Sequence, residues 1–351
     1  MNTALLLSGG VDSSVALHLL LQQGHNVTAF YLKIWLEDEL AFLGSCPWED
    51  DLLYVRAVCE QAGIPLRIIS FQKEYKERVI AYTLAEIKAG RTPNPDILCN
   101  QYIKFGAFYD VIGSEFDFVA TGHYARRVDK NNKAWLYQAP DPVKDQTYFL
   151  SQLSQEQLKR ALFPLGELCK QEVRALAETL NLPNKARRDS QGVCFLGKLK
   201  FDEFIKYHQG ERLGDLVEHE TGKKVGEHKG FWFYTIGQRH SIGLSGGPWY
   251  VVKKDTILNK IYVSRTYNTE DFSRNTFVIA KINWIVELGY DPAQALFVKL
   301  RHGPALLLCT LTALDNDQFL VTLEQKDKGI AAGQFAVFYQ ANACLGSGTI
   351  I

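Results

Sequence analysis

The sequence lacks several features that mark common protein classes. No run reaches the ~18 apolar residues of a membrane span, and no basic segment with an apolar core opens the chain, so we expect a cytoplasmic protein with no membrane partner. The seven cysteines include no CxxC pair, which disfavours a disulfide framework and an iron–sulfur cluster. No HxxxH or Cys/His cluster occurs at ligand spacing, so no protein-bound zinc is expected.

Net charge is also lacking, because 39 Lys and Arg balance 39 Asp and Glu. The total charge therefore gives no sign of nucleic-acid binding, although basic runs occur at 126–133 and 185–200. Each run fits either a solvated surface or an RNA-binding face. A length of 351 residues favours two or three domains over one.

An anion-binding turn is indicated at 8–13, where the sequence SGGVDS follows the apolar run Ala4–Leu7. The two glycines let the backbone approach an oxyanion, and the helix that starts near Asp12 points its N–H groups at the same place. The two serines add hydroxyl donors, and the Asp12 carboxylate suits a Mg²⁺ that bridges to phosphate oxygens. The string GxxxxGK[ST] is absent, which excludes a Walker A loop. The alternative is an ordinary glycine-rich strand–helix turn.

The first part of the chain alternates strand and helix patterns, which predicts an α/β fold with a doubly wound parallel sheet. The predicted strands are Ala4–Leu7, Val27–Trp35, Leu66–Phe71 and Phe116–Thr121. The predicted helices are Ser13–Gln23, Asp50–Ala62, a segment ending near Ala89, Asn100–Ile112, Glu156–Leu162 and Lys170–Leu180. Ligands of such sheets bind beyond the carboxyl ends of the strands.

A different pattern follows residue 204, where short apolar runs alternate with turn residues. The runs Val278–Trp284, Leu296–His302, Leu306–Leu314, Phe319–Glu324 and Phe335–Gln340 predict a C-terminal β-barrel. We therefore predict a catalytic domain at 1–203, a small, mainly β linker domain at 204–274 and the barrel at 275–351.

Two cysteines stand in distinctive strings. Residues 90–105 read GRTPNPDILCNQYIKF, which is a stiff loop because each proline restricts the residue before it. A helix that starts near Asn100 puts Cys99 at its N-terminus, where the helix dipole and Lys104 favour the thiolate. Asp96 is a candidate acid or base in the same loop. Cys194 lies in DSQGVCFLG at 189–197, and each cysteine, taken alone, fits a buried structural role equally well.

Six strings occur in an order that resembles the tRNA-specific 2-thiouridylase family: SGGVDSS (8–14), GRTPNPDILCN with IKF (90–105), ATGHYAR (120–126), KDQTYFL (144–150), DSQGVCFLG (189–197) and YTIGQR (234–239). The first is similar to the pyrophosphate loop of ATP pyrophosphatases. The resemblance extends from residue 4 to the end of the chain. The sequence departs from the common form at Gln191, where Thr is frequent, and at Leu32, where Met is frequent.

The resemblance implies ATP-dependent replacement of the C2 oxygen of the tRNA wobble uridine by sulfur. ATP would adenylate that oxygen with the help of Mg²⁺, and Cys194 would carry the incoming sulfur as a persulfide. Cys99 would then release the sulfur through a transient Cys99–Cys194 disulfide, with Asp96 as a possible acid or base. The implied partners are tRNA and a sulfur-donor protein, either a cysteine desulfurase or a sulfur relay protein.

The same resemblance implies three sets of binding residues. The ATP set is Leu6, Leu7, Ser8, Gly9, Gly10, Val11, Asp12, Ser13, Leu32 and Gly122. The set facing the target base is Asn94, Pro95 and Asp96, and further tRNA contacts fall on Lys144, Asp145, Gln146, Arg301 and His302. His123 is interpreted as a hydrogen-bonded loop histidine.

Two other classes remain open at this point. Ligases such as the argininosuccinate- or GMP-forming synthetases share the pyrophosphate loop and need no pair of reactive cysteines. A non-catalytic RNA-binding protein with a degenerate nucleotide fold is the other alternative, and the intact Ser8, Asp12 and Ser13 argue against it. Iron–sulfur tRNA thiolases are disfavoured because they need the missing CxxC.

Overall fold

The computed structural model describes residues 1–34, 47–188, 201–266, 274–286 and 290–351. The strands are β1 (Asn2–Leu6), β2 (Asn26–Lys33), β3 (Leu66–Ser70), β4 (Phe118–Ala120), β5 (Ala125–Lys130), β6 (Lys133–Gln138), β7 (Ala161–Leu162), β8 (Gly214–Glu218), β9 (Lys224–His228), β10 (Tyr250–Asp255), β11 (Lys260–Ser264), β12 (Arg274–Trp284), β13 (Leu296–Lys299), β14 (Leu307–Ala313), β15 (Phe319–Asp327), β16 (Phe335–Gln340) and β17 (Ala343–Ile350).

The α-helices are α1 (Val11–Gln22), α2 (Pro47–Ala62), α3 (72–88), α4 (95–112), α5 (Thr147–Leu150), α6 (Gln155–Lys159), α7 (Lys170–Thr179) and α8 (Phe201–Gln209). Two of them contain π-helical turns, at Lys76–Ile80 in α3 and at Asn100–Ala107 in α4. Phe231–Phe233 forms a short 3₁₀ helix. No described helix is both long enough and apolar enough to cross a lipid bilayer.

A five-stranded parallel sheet forms the centre of the N-terminal domain, in the order β3-β2-β1-β4-β7. Side chains of β1 alternate between two cores, with Ala4 and Leu6 packed in one and Leu5 in the other. Burial on both faces is typical of a parallel sheet covered by helices on each side. The predicted doubly wound α/β fold is therefore confirmed.

The fifth strand corrects one sequence prediction. A helix was predicted over Glu156–Leu162, but α6 ends at Lys159 and Ala161–Leu162 pairs in parallel with Val119 and Ala120 of β4. Two residues are too few to produce a recognisable period-2 pattern, so the neighbouring helical pattern extended over them.

The C-terminal domain is a closed barrel in the order β12-β15-β14-β13-β16-β17, and it closes where β12 pairs with β17. This confirms the predicted barrel. The β5–β6 hairpin is an addition to the predicted elements: it belongs to the N-terminal part of the chain and extends the barrel sheet. Ala343 and Cys344 of β17 pair with Tyr137 and Leu136 of β6. A separate four-stranded sheet, β10-β11-β8-β9, forms the linker domain.

Candidate active site

The turn between β1 and α1 has the geometry of an anion-binding loop. Gly9 has φ +77°, a conformation that L side chains rarely adopt, and Gly10 caps α1 in an extended conformation. The Ser13 hydroxyl donates to the Gly10 carbonyl (3.1 Å) and accepts from the Ser8 amide (3.3 Å). The serine side chains thus brace the loop, while the first N–H groups of α1 lie at the carboxyl end of the central strand.

Apolar residues around the loop hold it in place. Leu6, Leu7 and Val11 are buried in the two cores of the sheet, and Leu32 is half-buried at the end of β2. Because the side chains of Leu6, Leu7 and Val11 are packed in the protein core, these residues can offer a ligand at the loop mainly their backbone groups.

Gly122 lies directly against the start of α1. A Cβ at this position would lie 2.8 Å from the Ser13 nitrogen and 3.0 Å from the Asp12 carbonyl carbon. The end of β4 therefore packs on the loop with no room for a side chain. His123 follows, and as predicted it is hydrogen-bonded, with its Nδ1 2.8 Å from the Thr121 hydroxyl. Burial and the Lys104 charge hold the pKa of His123 well below its usual value, so the ring is neutral near pH 7.

Asp12 is the acidic group of the loop, and two side chains hold its Oδ1. The Tyr124 hydroxyl donates to it at 2.9 Å, and the Lys170 ammonium lies 2.6 Å away. Tyr124 also connects the loop to a predicted tRNA contact, since its amide donates to Gln146 Oε1 at 3.0 Å. The carboxylate lies in the first turn of α1, and its role as a Mg²⁺ ligand stays a prediction.

Three side chains near the loop were not assigned to it from the sequence. Asn184 is 1 % exposed and its Nδ2 donates to the Gly9 carbonyl at 2.8 Å. Arg187 Nη1 donates to the same carbonyl at 3.0 Å, and its Nη2 bonds to the Asp51 carboxylate. The third is Lys170 at the start of α7. No local pattern marks these residues, because they reach the loop only after the chain has folded.

The loop that leads to Cys99 corrects another prediction. The helix α4 begins at Pro95, five residues earlier than predicted, with Asn94 as its N-cap and 3.4 Å between Asn94 Oδ1 and the Ile97 amide. Proline suits the first helical position because its missing N–H is not needed there. Cys99 is therefore a full turn inside the helix and 1 % exposed, so the helix-terminus argument for a thiolate is wrong.

Both the barrel and the linker domain contact the segment before α4. The Thr92 amide donates to the Ala332 carbonyl at 2.8 Å, and the Tyr148 hydroxyl contacts Asn94 and donates to the Phe335 carbonyl at 3.1 Å. From the linker domain, Thr256 packs against Gly90. Asn94 and the half-buried Asp96 are thus positioned by elements far away in sequence.

The other half of the predicted cysteine pair, Cys194, lies outside the described residues, as does Gln191. Among the described cysteines none forms a disulfide. Burial raises the pKa of Cys59 to about 11 and that of Cys309 to about 12, and it raises the pKa of Cys344 further. Such thiols behave as small core side chains and are poor nucleophiles.

The predicted tRNA contacts from the N-terminal domain and the barrel lie side by side. His302 Nε2 is 3.1 Å from the Asp145 carbonyl, and the His302 ring stacks on Phe149 at 4.8 Å. Arg301 is exposed and pairs with Asp327 at 3.0 Å. Lys144 and Gln146, on either side of Asp145 in the chain, are half-buried.

Asp145 differs from its neighbours. Its carboxylate is buried and accepts from Lys299 Nζ (2.8 Å), from the Thr147 hydroxyl (2.9 Å) and from the Ala139 amide (3.3 Å). The expectation of a tRNA contact through this side chain does not fit its position, because the carboxylate is enclosed by protein. Asp145 instead connects the segment at 144–147 to the barrel through its ion pair with Lys299.

A parallel α/β sheet with a glycine-rich turn at the end of its central strand, followed by two β domains, defines an α/β protein with accessory β modules. Family models match the three parts in order: the tRNA methyl transferase HUP domain at 1–198, the tRNA methyl transferase PRC-barrel domain at 202–265 and the aminomethyltransferase beta-barrel domain at 274–350.

The chain belongs to the tRNA-specific 2-thiouridylase family. It is 47 % identical over 355 residues to tRNA-specific 2-thiouridylase MnmA 1 of Bacteroides thetaiotaomicron, with 100 % of this chain and 99 % of the relative covered. It is 44 % identical over 356 residues to tRNA-specific 2-thiouridylase MnmA of Parabacteroides distasonis, with the same coverage. Among solved structures, a 4-thiouridine synthetase bound to RNA and ATP aligns with 60 % of this chain and 50 % of its own at 18 % identity and TM-score 0.32.

Proposed function

We propose that this protein catalyses the ATP-dependent 2-thiolation of the wobble uridine of tRNA. The observation that carries the proposal is full-length similarity to proteins named tRNA-specific 2-thiouridylase, together with an intact anion-binding loop at 8–13. The loop is the part expected to bind ATP, and Cys99 on α4 packs in the same core of the sheet domain as Leu6, which precedes the loop.

Activation of the uridine explains the need for ATP. The C2 oxygen of uracil is a poor leaving group, and its attack on the α-phosphorus turns it into the leaving group AMP with release of pyrophosphate. The pyrophosphate is expected to bind at the loop of Gly9, Gly10 and the α1 N-terminus, where backbone N–H groups can donate hydrogen bonds to its oxygens. When bound, Mg²⁺ supplies positive charge to the departing phosphates, and Asp12 is the residue expected to hold it.

The base must leave the anticodon stack to reach this place. We expect Asn94, Pro95 and Asp96 to face it, since this segment begins α4 and is held by the barrel. Arg301, Lys144 and Gln146 lie together across the boundary between the barrel and the N-terminal domain, where cationic groups suit a phosphate backbone. Their contact with tRNA belongs to the proposal.

Sulfur transfer is proposed to use two cysteines. A sulfur-donor protein, a cysteine desulfurase or a sulfur relay protein, loads a persulfide on Cys194. Its terminal sulfur attacks C2, and the C2–O bond breaks with loss of AMP. Cys99 then attacks the inner sulfur of Cys194, so that an S–S bond forms between the cysteines and the outer sulfur stays on the base. An external thiol must reduce this disulfide before the next turnover.

The depth of Cys99 in the fold sets one condition on this step. Its side chain is 1 % exposed. The base and the incoming sulfur therefore have to enter beside α4 before the Cys99 thiol can attack the Cys194 sulfur. Thiol–disulfide exchange needs access to the sulfur as well as a thiolate. Cys99 is thus expected to react slowly with reagents in the resting protein.

The test is mass spectrometry of nucleosides from a matching tRNA after incubation with the protein, ATP, Mg²⁺ and a persulfide source. We expect 2-thiouridine with the wild type, and none with Cys99→Ser or Cys194→Ser, although both variants still bind ATP. Cys59→Ser is the control, because Cys59 is a buried core thiol elsewhere in the sheet domain.

The alternative classes give distinct outcomes when an ATP–pyrophosphate exchange assay accompanies this experiment. Full thiolation by both single variants would remove the two-cysteine mechanism. An unchanged uridine mass accompanied by ATP–pyrophosphate exchange would favour a ligase, and the absence of exchange with tRNA present would favour a non-catalytic RNA-binding protein.

A further inference from the structure

Two cationic side chains from distant parts of the sequence converge on the loop at 8–13. Lys170, the first residue of α7, reaches Asp12, with 2.6 Å between Nζ and Oδ1 and only 14 % of its side chain exposed. Its backbone amide is held by the Asp141 carboxylate at 3.1 Å, and its ammonium lies 5.9 Å from the Tyr124 ring centre. The start of α7 is thereby fixed with the ammonium at the α1 N-terminus.

Arg187 reaches the same loop from the other side. Its Nη1 donates to the Gly9 carbonyl at 3.0 Å, and a Cβ on Gly9 would lie 2.9 Å from that nitrogen. Asp51 bonds to its Nη2, and the Tyr54 ring lies 5.0 Å from its guanidinium carbon. The guanidinium is therefore held beside the glycine turn.

This placement separates Arg187 from the basic run in which it occurs. Lys185 of the same run points to the outside of α7, where it pairs with Glu178 at 3.1 Å and Asn181 at 2.9 Å. Lys185 and Arg187 therefore do not share one face, because their side chains contact different surroundings. Arg187 belongs to the anion-binding loop.

A loop that receives a triphosphate beside Asp12 needs compensating positive charge. The N–H groups of α1 provide partial charges only, while Asp12 repels phosphate oxygens. Lys170 and Arg187 bring two full charges to the loop, and their carboxylate partners Asp12 and Asp51 hold them in position before a ligand arrives. Groups oriented in advance lose little freedom when they bind.

We infer that Lys170 and Arg187 bind the pyrophosphate portion of ATP and, after adenylation, the released pyrophosphate. The inference rests on the proposed function for its ligand and goes beyond it in assigning these two residues. Arginine offers planar paired donors to phosphate oxygens, and lysine offers a compact point charge. Asn184 is a positioning residue, since its side chain holds the Gly9 carbonyl and the Ser14 hydroxyl.

The experiment is calorimetric binding of MgATP and, separately, of inorganic pyrophosphate with Mg²⁺ to the full chain without tRNA. Lys170→Met and Arg187→Met are each expected to raise both dissociation constants about 10- to 100-fold, the usual effect of losing one charge-assisted contact. Lys170→Arg should recover part of the affinity. Lys185→Met is the matched control and should bind both ligands as the wild type does.

A double variant separates phosphate binding from mere neutralisation of Asp12. In the Asp12→Asn background, Lys170→Met should still weaken pyrophosphate binding about tenfold. No further loss in that background would mean that Lys170 acts only on Asp12, and this result would overturn its assignment. Where the methionine variants fail to fold, Lys170→Gln and Arg187→Gln take their place, with thermal unfolding as the check.

Failure of the inference and failure of the proposed function give different results. Unchanged dissociation constants in both single variants of a protein that makes 2-thiouridine would overturn the inference alone. Weakened binding in the variants of a protein that makes no 2-thiouridine would support the inference and leave the thiolation proposal without support.

Discussion

Lys299 of the barrel and Asp145 of the N-terminal domain form an ion pair of 2.8 Å in which neither side chain is more than 1 % exposed. Asp145 also accepts from Thr147, and its carbonyl contacts His302. Two charges in the interior are tolerated only when they are paired and hydrogen-bonded. The pair therefore fixes the barrel against the segment 144–146, which carries two of the proposed tRNA contacts.

Lys299→Met is expected to destabilise the protein strongly, because it leaves a buried carboxylate without its cation. Breaking a buried pair in this way costs about 3–5 kcal/mol. Asp145→Asn combined with Lys299→Met should regain part of that loss, since no charge remains in the interior. Urea unfolding of both variants measures the difference, and an exposed pair gives the control through Lys159→Met, where Lys159 contacts Glu156. Equal stability of Lys299→Met and the wild type would contradict the structural role given to the pair.

Gly122→Ala is expected to weaken ATP binding by about tenfold or more. A Cβ 2.8 Å from the Ser13 nitrogen must push the start of α1 away from β4, and the displaced atoms are backbone atoms of the loop itself. Titration of ATP by calorimetry checks this. Gly24→Ala is the control: Gly24 has φ +80° and nothing within 4 Å of its Cβ position, so it should lose stability while ATP binding stays unchanged.

The sequence was sufficient to predict elements with strong local patterns. The apolar run of β1, the SGGVDS turn and the barrel strands all carry their signal within a few residues, and the structure contains each of them. The two-residue β7 and the hairpin β5–β6 were missed because sheet pairing, and not local pattern, decides their state. Pro95 was interpreted as part of a loop, although proline at a first helical position is favourable.

The candidate site likewise contains residues that a local motif marks and residues that only the folded structure brings together. Asp12 and the glycines of the loop are contiguous, so a motif marks them. Lys170 and Arg187 have no motif, since only the packing of α7 beside α1 brings them to the loop. Asp145 stood in a family string and was expected to meet tRNA, but burial by a barrel residue 154 positions later gives it a structural partner.

Gly333→Ala tests whether the barrel positions the base-binding segment. Gly333 has φ +90°, and a Cβ there would lie 2.9 Å from the Arg91 Cβ and 3.0 Å from the Thr92 nitrogen. The displaced segment leads into Asn94 and Asp96, so we expect a KM for tRNA raised about tenfold with the ATP dissociation constant unchanged. Steady-state thiolation at varied tRNA concentration measures it.

The control for that variant is Gly303→Ala in the same barrel. Gly303 also has a positive φ, +146°, but nothing lies within 4 Å of its Cβ position. Both variants carry backbone strain, and only Gly333→Ala carries the contact with 91–92. An equal rise of the tRNA KM in both variants would assign the effect to strain in the barrel and contradict a positioning role for Gly333.

The linker domain provides a prediction on pH. Burial lowers the pKa of Lys254 to about 8, and its ammonium donates to the Tyr234 carbonyl at 3.1 Å. Between about pH 8 and the unfolded value near 10.5, the unfolded chain binds more protons at this residue than the folded one, so its contribution to stability rises with pH. Below about pH 8 the burial cost of the charge is fully present.

Lys254→Met, which carries no charge, should therefore be more stable than the wild type at pH 7, and this advantage should shrink between pH 8 and 10. Thermal unfolding of both proteins across that range checks the sign, with Lys253→Met on the exposed side of the same strand as the control. A stability difference that grows with pH would show that the Lys254 ammonium is stabilised where it lies.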